Sequence, residues 1–400
     1  MSLFLSITPL EEARVVANGL ARSLRAENVP LTAALGRVLA ADVVAAEDIP
    51  SFSRSVVDGF AVIAADTVGA AEAMPAMLRL SGRVAMGRIS EITVGTGECA
   101  YVPTGGTLPE GADAMVMVEH TEEVGEMVLV FAPAATGDHV VARGEDFARG
   151  SVVLNAGRRL SPRDLGVLAA IGLSEVAVRA APVVGIISTG NELVEVDAVP
   201  GQGQVRDANS SLCAGFVEER GGVPVRLGII PDEREQLTAA ISTAAERCDL
   251  VLVSGGSSKD ERDMCASVLE EIGQVHVHGI GIAPGKPTII GEVGGIPVIG
   301  LPGHPASAYV VLIALVGGVI AAMTGETETV RTLRATLTGH IPSAKGRTDY
   351  VRVQVQGGMA TPLFGKSGLL NTLSRSSGVV AVPAAREGFE AGEEVEVILW

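Results

Sequence analysis

The segment SGGSSKDERD, residues 254–263, joins a run of small residues to five consecutive charged residues. It follows the apolar run DLVLV, which predicts a buried strand. On an α/β sheet, ligands bind in the loops at the carboxyl ends of the strands. Gly255 and Gly256 allow a ligand to approach the backbone closely. Ser257 can donate a hydrogen bond, and Asp263 offers a carboxylate. Two interpretations stay open: a site for an anion or a metal, or a turn in which Asp263 caps the next helix.

Further polar residues follow the neighbouring predicted strands, at the point where each strand ends. Because the carboxyl ends of parallel strands meet at one edge of a sheet, we expect these loops to converge. Carboxylates suit a hard cation such as Mg²⁺, and glycine-rich turns suit phosphate. For Asp232, a plain helix cap is the alternative interpretation. The residues concerned are Ser188, Glu192, Asp207, Asn209, Asp232, Lys286, Pro302, His304 and Pro305.

Three stretches outside this region carry polar residues within an otherwise apolar sequence. SFSRSVVDGFAV contains Asp58, VPTGGTLPEGADAMVMVEH contains Thr104, and VARGEDFARG contains Asp146. Each is a weak signal by itself, because clusters of Gly and Asp usually form turns.

The elements that must position these residues change along the chain. Residues 8–43 are predicted to be helical, whereas residues 51–149 show the short apolar runs, broken by Gly and Pro, that are typical of β structure. From about residue 181, apolar strands alternate with helices, which predicts a doubly wound, mostly parallel sheet covered on both faces. From about residue 330, alternation at period two predicts a small β domain.

Composition excludes several classes of partner. The formal net charge of −17 argues against nucleic acid and anionic membranes, because both require a surface rich in Lys and Arg. Backbone N–H groups, helix N-termini or a bound cation can still hold a small anion locally. The four cysteines show no CxxC spacing, which predicts buried, reduced thiols in a cytoplasmic protein. The N-terminus lacks the basic region of a signal peptide.

The uncharged stretch ASAYVVLIALVGGVIAAM, residues 306–323, is long enough to span a membrane. It begins inside the turn LPGHP, contains two consecutive glycines, and has no basic bias at its flanks. A helix buried between a sheet and another domain is also apolar on all sides. We therefore predict a buried core helix and no membrane insertion.

A series of motifs, in one order over essentially the whole chain, resembles the family of MoeA and the gephyrin E domain, the molybdopterin molybdenumtransferases. The motifs are SVVDGFAV, PTGGTLPEGADAMVMVE, GEDFARG, STGNEL, VRDANS, SGGSSKDERD, PGKP, GLPGHPASA, GRTDYVRV and GKSGLLNTLSRSSGVVAVP. Many motifs in one order are far more specific than any one of them.

The resemblance implies an enzyme that takes adenylylated molybdopterin, inserts metal from molybdate at the dithiolene and releases AMP, with Mg²⁺ assisting. It implies a homodimer whose active cleft is shared between subunits, with molybdoenzymes as candidate acceptors of the product. It also implies four domains: a discontinuous helical domain of residues 1–43 and 147–180, a β-rich insertion of residues 44–146, a MogA-like α/β domain of residues 181–327, and a C-terminal β-barrel of residues 328–400.

The match also implies roles for individual residues. The active-cleft acids are Asp58, Asp146, Glu192, Asp232 and Asp263, of which Asp232 and Asp263 are the predicted metal ligands. Together with the strand-end loops, the match predicts that the pterin and AMP portions of the substrate contact Thr104, Ser188, Asp207, Asn209, Gly255, Gly256, Ser257, Lys286, Pro302, His304 and Pro305.

The chain departs from the family pattern at several positions. Asn191 replaces an Asp, Asp260 replaces a Gly, and Ala283 stands where a Lys is common. The change at Ala283 removes a cation near the expected substrate pocket. Lys259 and His304 are candidates to replace that cation. An alternative function therefore stays open: a paralogue that uses tungstate, or a non-catalytic protein that binds the pterin or acts as a scaffold.

Overall fold

A computed structural model of the chain describes residues 7–255, 259–327 and 330–400. The chain divides into two compact units, each made of segments that are discontinuous in sequence. The larger unit comprises Met1–Ala41, Ala156–Leu165 and Glu175–Trp400, and the smaller unit comprises Asp42–Asn155 and Gly166–Ser174.

The larger unit is built around a six-stranded sheet. Four neighbouring strands are parallel, and two antiparallel strands complete one edge. This arrangement confirms the predicted mostly parallel sheet. In spatial order the strands are Val223–Ile230, Val183–Thr189, Leu250–Gly255, Ile296–Leu301, Ile289–Val293 and Gln274–His278.

Helices cover both faces of this sheet, because successive side chains of a strand point to opposite sides. Leu250 and Leu252 face the helix Asn209–Glu219, whereas Val251 and Val253 face the helices on the other side. Both sets of side chains are fully buried, which explains why the strand is apolar throughout. The helices on the second face are Arg234–Arg247 and Lys259–Ile272.

The long apolar stretch forms the continuous helix Pro305–Thr324, whose middle turn, Leu312–Val316, is a π-helix. Among the described residues it is the one helix long and apolar enough to span a membrane. In its most apolar window, 72% of the residues are buried inside the protein. The Nε atom of Arg14 donates to the carbonyl oxygen of Ala314 at 2.8 Å, within the π-helical turn. The prediction of a buried core helix is confirmed.

The N-terminal segment is only partly helical, so the prediction of helical structure over residues 8–43 is confirmed in its first part and wrong in its second. The helix Leu10–Leu20 is followed by the strand Ala26–Pro30, which pairs with Glu175–Arg179. Beyond it lies a single 3₁₀ turn, Leu31–Ala33. Gly36 has a φ of 73° and donates its N–H to Leu160 at 2.9 Å, so the chain turns where an α-helix would continue.

The C-terminal part of the larger unit is a second six-stranded sheet. Its strands Thr348–Gln356 and Gly378–Val382 pair in addition to the linear order and close the sheet into a barrel, as predicted. Its core contains small and branched side chains such as Val353, Ala360 and Val380. The remaining strands are Ile282–Ala283, Thr332–Leu337, Met359–Pro362 and Glu394–Leu399.

The smaller unit contains another six-stranded sheet, which agrees with the β-rich pattern of its sequence. Phe60, Val62 and Val116 are among its core residues. The strands are Gly59–Val62, Ala76–Arg83, Glu98–Val102, Ala114–Met117, Thr121–Val124 and Met127–Val130.

The remaining elements are short. The two-residue and three-residue strands are Val43–Val44, Arg54–Ser55, Val140–Val141, Val152–Leu154, Leu193–Val194, Val205–Arg206, Ile341–Pro342 and Gly388–Phe389. The other helices are Pro162–Ala170 and Asn371–Arg375, with 3₁₀ turns at Ala64–Thr67 and Val118–His120.

All four cysteines are free and buried, which confirms the prediction of buried thiols. Burial raises the pKa of the Cys213 and Cys265 thiols to about 12. Both thiols are therefore protonated at neutral pH and are poor nucleophiles.

Candidate functional site

The loops at the carboxyl edge of the main sheet surround a cavity of about 370 Å³, called here the acidic cavity. Its lining includes two acidic residues, Glu192 and Asp207, and one basic residue, Arg206. The structure therefore brings together several of the residues expected from the strand-end argument. The predicted site residues that line the acidic cavity are Glu192, Asp207, Asn209, Gly255, His304 and Pro305.

Asn209 is a buried polar residue of the acidic cavity, with 7% of its surface exposed. Its Nδ2 donates to the hydroxyl of Ser254 at 2.8 Å and to the carbonyl oxygen of Gly303 at 2.9 Å. Because a carbonyl can only accept, these contacts fix which side of the amide is nitrogen. The buried Oδ1 has no hydrogen-bond partner among the described residues. It is therefore an unsatisfied acceptor in the wall of the acidic cavity.

Two other predicted site residues in this region are buried polar groups. Asp207 is 5% exposed, and its Oδ1 accepts the backbone N–H of Ser210 at 3.0 Å. This contact holds a carboxylate against the first turn of the helix Asn209–Glu219, where a negative charge is favourable. Ser188 is 1% exposed, and its hydroxyl has no partner among the described residues.

Asp232 organises the loop that carries Glu192. Its Oδ1 accepts the hydroxyl of Thr189 at 2.7 Å, and its Oδ2 accepts the backbone N–H of Asn191 at 3.0 Å. The Asn191 side chain in turn accepts the N–H of Asp232 at 3.3 Å. The following helix begins at Arg234 without a side-chain cap, so the interpretation of Asp232 as a helix cap is wrong.

The segment SGGSSKDERD lies partly outside the described residues. Gly255 ends its strand where an added Cβ would lie 2.2 Å from the carbonyl oxygen of Thr189, so only glycine fits there. Gly256 and Ser257 fall outside the described residues, as does the side chain of Asp263. The helix begins at Lys259, which makes Asp263 its fifth residue. The interpretation of Asp263 as an N-cap is therefore wrong.

A second cavity, of about 490 Å³, is called here the cationic cavity. Lys286, Lys345 and Arg347 line it, together with Ser307 and Ser367. The lining combines the loops of the main sheet with segments of the barrel. Two of its other lining residues, Gly303 and His304, also line the acidic cavity, so the two cavities share one wall. The predicted site residues found in this lining are Lys286, Pro302 and His304.

Three residues of the cationic cavity were not singled out from the sequence: Lys345, Arg347 and Ser367. Arg347 donates to the buried carboxylate of Asp349 at 2.8 Å, and the Ser367 hydroxyl lies 2.9 Å from Nδ1 of His304. The motifs GRTDYVRV and GKSGLL were visible in the sequence. No local pattern indicated that barrel residues reach the strand-end loops, because that proximity arises only on folding.

In the smaller unit, the structure brings two predicted residues together. The Oδ1 of Asp58 accepts the backbone N–H of Thr104 at 2.8 Å, and both residues are exposed. Asp146 is also exposed and donates its N–H to the carbonyl oxygen of Ile49 at 3.0 Å.

The donors at the sheet edge suit Mg²⁺ bound in one particular way. Among the described residues, no group of three or more His, Cys, Asp or Glu side chains is arranged to hold a metal ion. Mg²⁺ is, however, usually bound through one or two carboxylates together with water and phosphate oxygens. Glu192 and Asp207 offer such carboxylates in the acidic cavity. The residues therefore fit a cation bound with the substrate, and the described ones do not form a protein-only cage.

Three family models match consecutive parts of the chain. They are described as the MoeA N-terminal region (domain I and II), over residues 8–172, a probable molybdopterin binding domain, over residues 185–322, and the MoeA C-terminal region (domain IV), over residues 334–400.

Similar proteins match over nearly their full length. A putative molybdopterin biosynthesis protein of Methanocaldococcus jannaschii is 33% identical and covers 100% of both chains. A molybdopterin molybdenumtransferase of Bacillus subtilis is 34% identical over 93% of this chain and 89% of its own length. A crystal structure of the molybdopterin biosynthesis MoeA protein from Pyrococcus horikoshii OT3 is 33% identical, with a TM-score of 0.87 over 99% of this chain and 100% of that one.

Fold and site together define a multidomain α/β protein with a ligand cavity at the carboxyl edge of a doubly wound sheet. The full-length similarities are more specific: the chain belongs to the MoeA family.

Proposed function

We propose that this protein is a molybdopterin molybdenumtransferase of molybdenum cofactor biosynthesis. The observation that carries the proposal is the pair of cavities that share Gly303 and His304. One cavity offers carboxylates and an amide oxygen, and the other offers three cationic side chains. A substrate with a donor-rich heterocycle and a reactant that is an oxyanion need these two environments side by side. The named relative from Bacillus subtilis supports the same activity.

The cationic cavity is the proposed place for molybdate. Charged N–H donors form the strongest hydrogen bonds to oxyanions. Lys286 supplies such donors from one element, and Arg347, whose Nε and Nη2 donate to Asp349, supplies Nη1 from another. Lys345 adds a third cation, because its pairing with Glu387, at 3.3 Å between exposed side chains, is too weak to hold it there. Lys345 therefore offers a replacement for the cation absent at Ala283, in addition to the candidates Lys259 and His304.

The proposed pterin substrate is adenylylated molybdopterin. In the proposed reaction the two dithiolene thiols give up their protons and, together with protons from solvent, displace two oxygen ligands of molybdate, which leave as water. A water molecule attacks the phosphoanhydride, whose P–O bond breaks, so that AMP leaves and the other phosphate stays on the pterin. The acidic cavity supports binding of the pterin portion, because Asn209 Oδ1 and the Asp207 carboxylate are acceptors for heterocycle N–H groups. Asp232 contributes by holding the loop of Glu192.

Mg²⁺ is part of the proposal. Glu192, with Asp232 and Asp263 as the ligands expected from the resemblance, would hold it together with phosphate oxygens. When bound, Mg²⁺ neutralises phosphate charge and acts as a Lewis acid. Removal of divalent cations by a chelator is expected to abolish AMP release, and addition of Mg²⁺ is expected to restore it.

The protein is further proposed to act as a cytoplasmic homodimer that delivers its product to molybdoenzymes. The burial of the long apolar helix Pro305–Thr324 and of all four cysteines supports a soluble protein in a reducing compartment. The homodimer rests on the family resemblance, and its mass in solution by light scattering tests it directly.

The experiment that tests the proposed function is AMP release by the purified protein from adenylylated molybdopterin. It is run with molybdate, with tungstate and with neither anion. Release that requires molybdate supports the proposal, and release with tungstate alone favours the tungstate paralogue. Binding of the pterin without release in any arm indicates the non-catalytic alternative and overturns the proposal.

A matched pair of variants connects this activity to the cationic cavity. Arg347→Met removes a cation that lines the cavity, whereas Arg334→Met removes an exposed cation paired with Glu394 on the barrel. The first change is expected to raise KM for molybdate on the order of tenfold or more, and the second is expected to leave it unchanged. Equal effects of the two changes would mean that the cavity does not bind the anion.

A further inference from the structure

Arg352 is a buried cation with no charged partner in the part of the chain that the structure describes. It lies on the barrel strand Thr348–Gln356 with 7% of its surface exposed. Its Nη2 donates to the carbonyl oxygen of Gly365 at 3.0 Å, while its Nε and Nη1 have no partner among the described residues. Loss of hydration on burial lowers the pKa of the guanidinium. The bond to Gly365 is therefore the only hydrogen bond recorded for this side chain in the described part of the protein.

The segment held in this way is the loop of residues 363–370, called here the partition loop. The backbone N–H of Leu363 donates to the carbonyl oxygen of Arg352 at 2.8 Å. Arg352 therefore holds the loop twice, through its main chain at Leu363 and through its guanidinium at Gly365. Most other residues of the partition loop are exposed, Lys366 among them.

The partition loop lies where the two cavities meet. Ser367 lines the cationic cavity, and Gly368 and Leu370 line the acidic cavity. The Ser367 hydroxyl lies 2.9 Å from His304 Nδ1, and the Ser367 carbonyl oxygen accepts the N–H of Ala306 at 3.2 Å. His304 belongs to the wall that the two cavities share, so the loop completes that wall from the barrel side.

We propose that Arg352 is a positioning residue that holds the partition loop against the shared wall and thereby keeps Ser367 beside His304. Gly365 is two residues from Ser367, so a change at the guanidinium reaches the cavity through a short stretch of chain. Arg352 itself does not line either cavity. Its expected influence on molybdate is therefore indirect, through Ser367.

The effect of an Arg352 substitution on protein stability distinguishes a positioning role from a purely structural one. A buried cation with two unpaired nitrogen atoms is unfavourable, and replacing such a group by an apolar side chain of similar length often leaves stability unchanged or raises it. Arg352→Met keeps the length of the side chain and removes all its donors. The proposal therefore expects a variant that is as stable as the wild type or more stable, yet has a loosened partition loop.

The first experiment measures the loop without reference to activity. Trypsin cleavage after Lys366 reports how often the loop opens, because an ordered loop resists the protease. Arg352→Met is expected to be cleaved there on the order of tenfold faster than the wild type, with no fall in Tm. Arg334→Met, which removes an exposed arginine of the same barrel, is the matched control and is expected to match the wild type.

The second experiment rests on the proposed function and measures molybdate dependence. Arg352→Met is expected to raise KM for molybdate about tenfold with kcat changed less than about twofold, because the loop affects binding of the anion. Arg352→Lys retains a donor for Gly365 and is expected to recover part of the loss. Ser367→Ala, combined with Arg352→Met, is expected to add little further effect, since both changes act on the same contact.

The outcomes decide between the roles. Unchanged cleavage after Lys366 overturns the proposal, and so does an Arg352→Met protein that is strongly destabilised or fails to fold. Faster cleavage with an unchanged KM in an active enzyme also overturns it, because the loop would then not serve the cavity. If the wild type shows no molybdate-dependent AMP release, the proposed function fails, while the cleavage result still decides whether Arg352 holds the loop.

Discussion

At the scale of single residues, polar side chains of the acidic cavity are held in place by hydrogen bonds within the protein. Asn209 joins a helix, a strand and a loop, since it begins its own helix while its amide contacts Ser254 in a strand and Gly303 in a loop. Because the donors of the amide are satisfied, its oxygen is presented in a fixed direction. Such a group is suited to select a ligand by its N–H pattern.

Asn209→Asp tests this arrangement with almost no change in size. The carboxylate has no donor for the carbonyl oxygen of Gly303, so two acceptors face each other in a buried site. The expected loss of unfolding free energy is about 2 kcal/mol, measured by denaturant unfolding. Ser254→Ala, which leaves the contact with Gly303 intact, is the control and is expected to lose about 1 kcal/mol. A harmless Asn209→Asp change would show that the amide is not buried as described.

Glu192→Gln tests the carboxylate that lines the same cavity. The residue is half-buried, and the substitution keeps its shape while it removes the charge. AMP release is expected to fall on the order of a hundredfold, with little change in Tm, if this carboxylate acts in the reaction. Activity within twofold of the wild type would leave Glu192 as a lining residue without a chemical role.

At the scale of elements, the helix Pro162–Ala170 shows how two nearby residues, Ser161 and Asp164, stabilise the beginning of a helix. Asp164 is the third residue of the helix, and its Oδ2 accepts both the N–H and the hydroxyl of Ser161. Burial alone raises the pKa of Asp164, but the bonds from Ser161 and the nearby Arg158 outweigh it. The net pKa therefore lies below its ordinary value of 3.8.

Asp164→Asn is expected to lower the free energy of unfolding by about 1 kcal/mol at neutral pH. Because the folded-state pKa lies below the unfolded-state value, the carboxylate contributes stability above pH 3.8, and this contribution is lost as the pH falls through the folded-state pKa. The difference between wild type and variant should therefore shrink in strong acid. Denaturant unfolding of both proteins at a series of acidic pH values measures this difference in unfolding free energy. A difference that does not change with pH would contradict the lowered pKa of Asp164.

Patterns of this local kind explain which parts of the fold were predictable. The main sheet alternates strands and helices with clear apolar periods, and the confirmed prediction follows from those periods. Residues 31–43 have helical composition, but Gly36 turns the chain before a helix can form. The local sequence there does not show that the backbone pairs with distant residues such as Leu160 instead of forming a helix.

The candidate site divides in the same way. Glu192 follows the main-sheet strand Val183–Thr189, so its place at the carboxyl edge was predictable from topology. Asp207 and Asn209 were expected just before a helix, and they follow the short strand Val205–Arg206, which lies outside the main sheet. Lys345, Arg347 and Ser367 belong to the barrel, and their place in the cationic cavity depends on long-range packing. Asp232 lies between these two cases. Its place after the strand Val223–Ile230 was predicted from the sequence, but its hydrogen bonds with Thr189 and Asn191 were not.

At the scale of the whole molecule, a protein with a net charge of −17 is proposed to bind oxyanions. The two facts agree because the cations that matter are gathered in one cavity, where three basic side chains lie within a lining that contains no carboxylate among the described residues. The local arrangement of charge, and not the total, determines the affinity for a small anion.

The last prediction concerns two copies of the chain. The family resemblance predicts a homodimer whose clefts each combine Asp58 of one subunit with the strand-end carboxylates of the other. Asp58→Asn and Glu192→Gln chains, each inactive alone, then form a mixed dimer in which one cleft carries both lesions and the other carries neither. Random reassembly gives about half mixed dimers, so about a quarter of all clefts should release AMP. If each cleft lay within one chain, every cleft would carry a lesion, so activity near zero after verified subunit exchange would rule out the shared cleft.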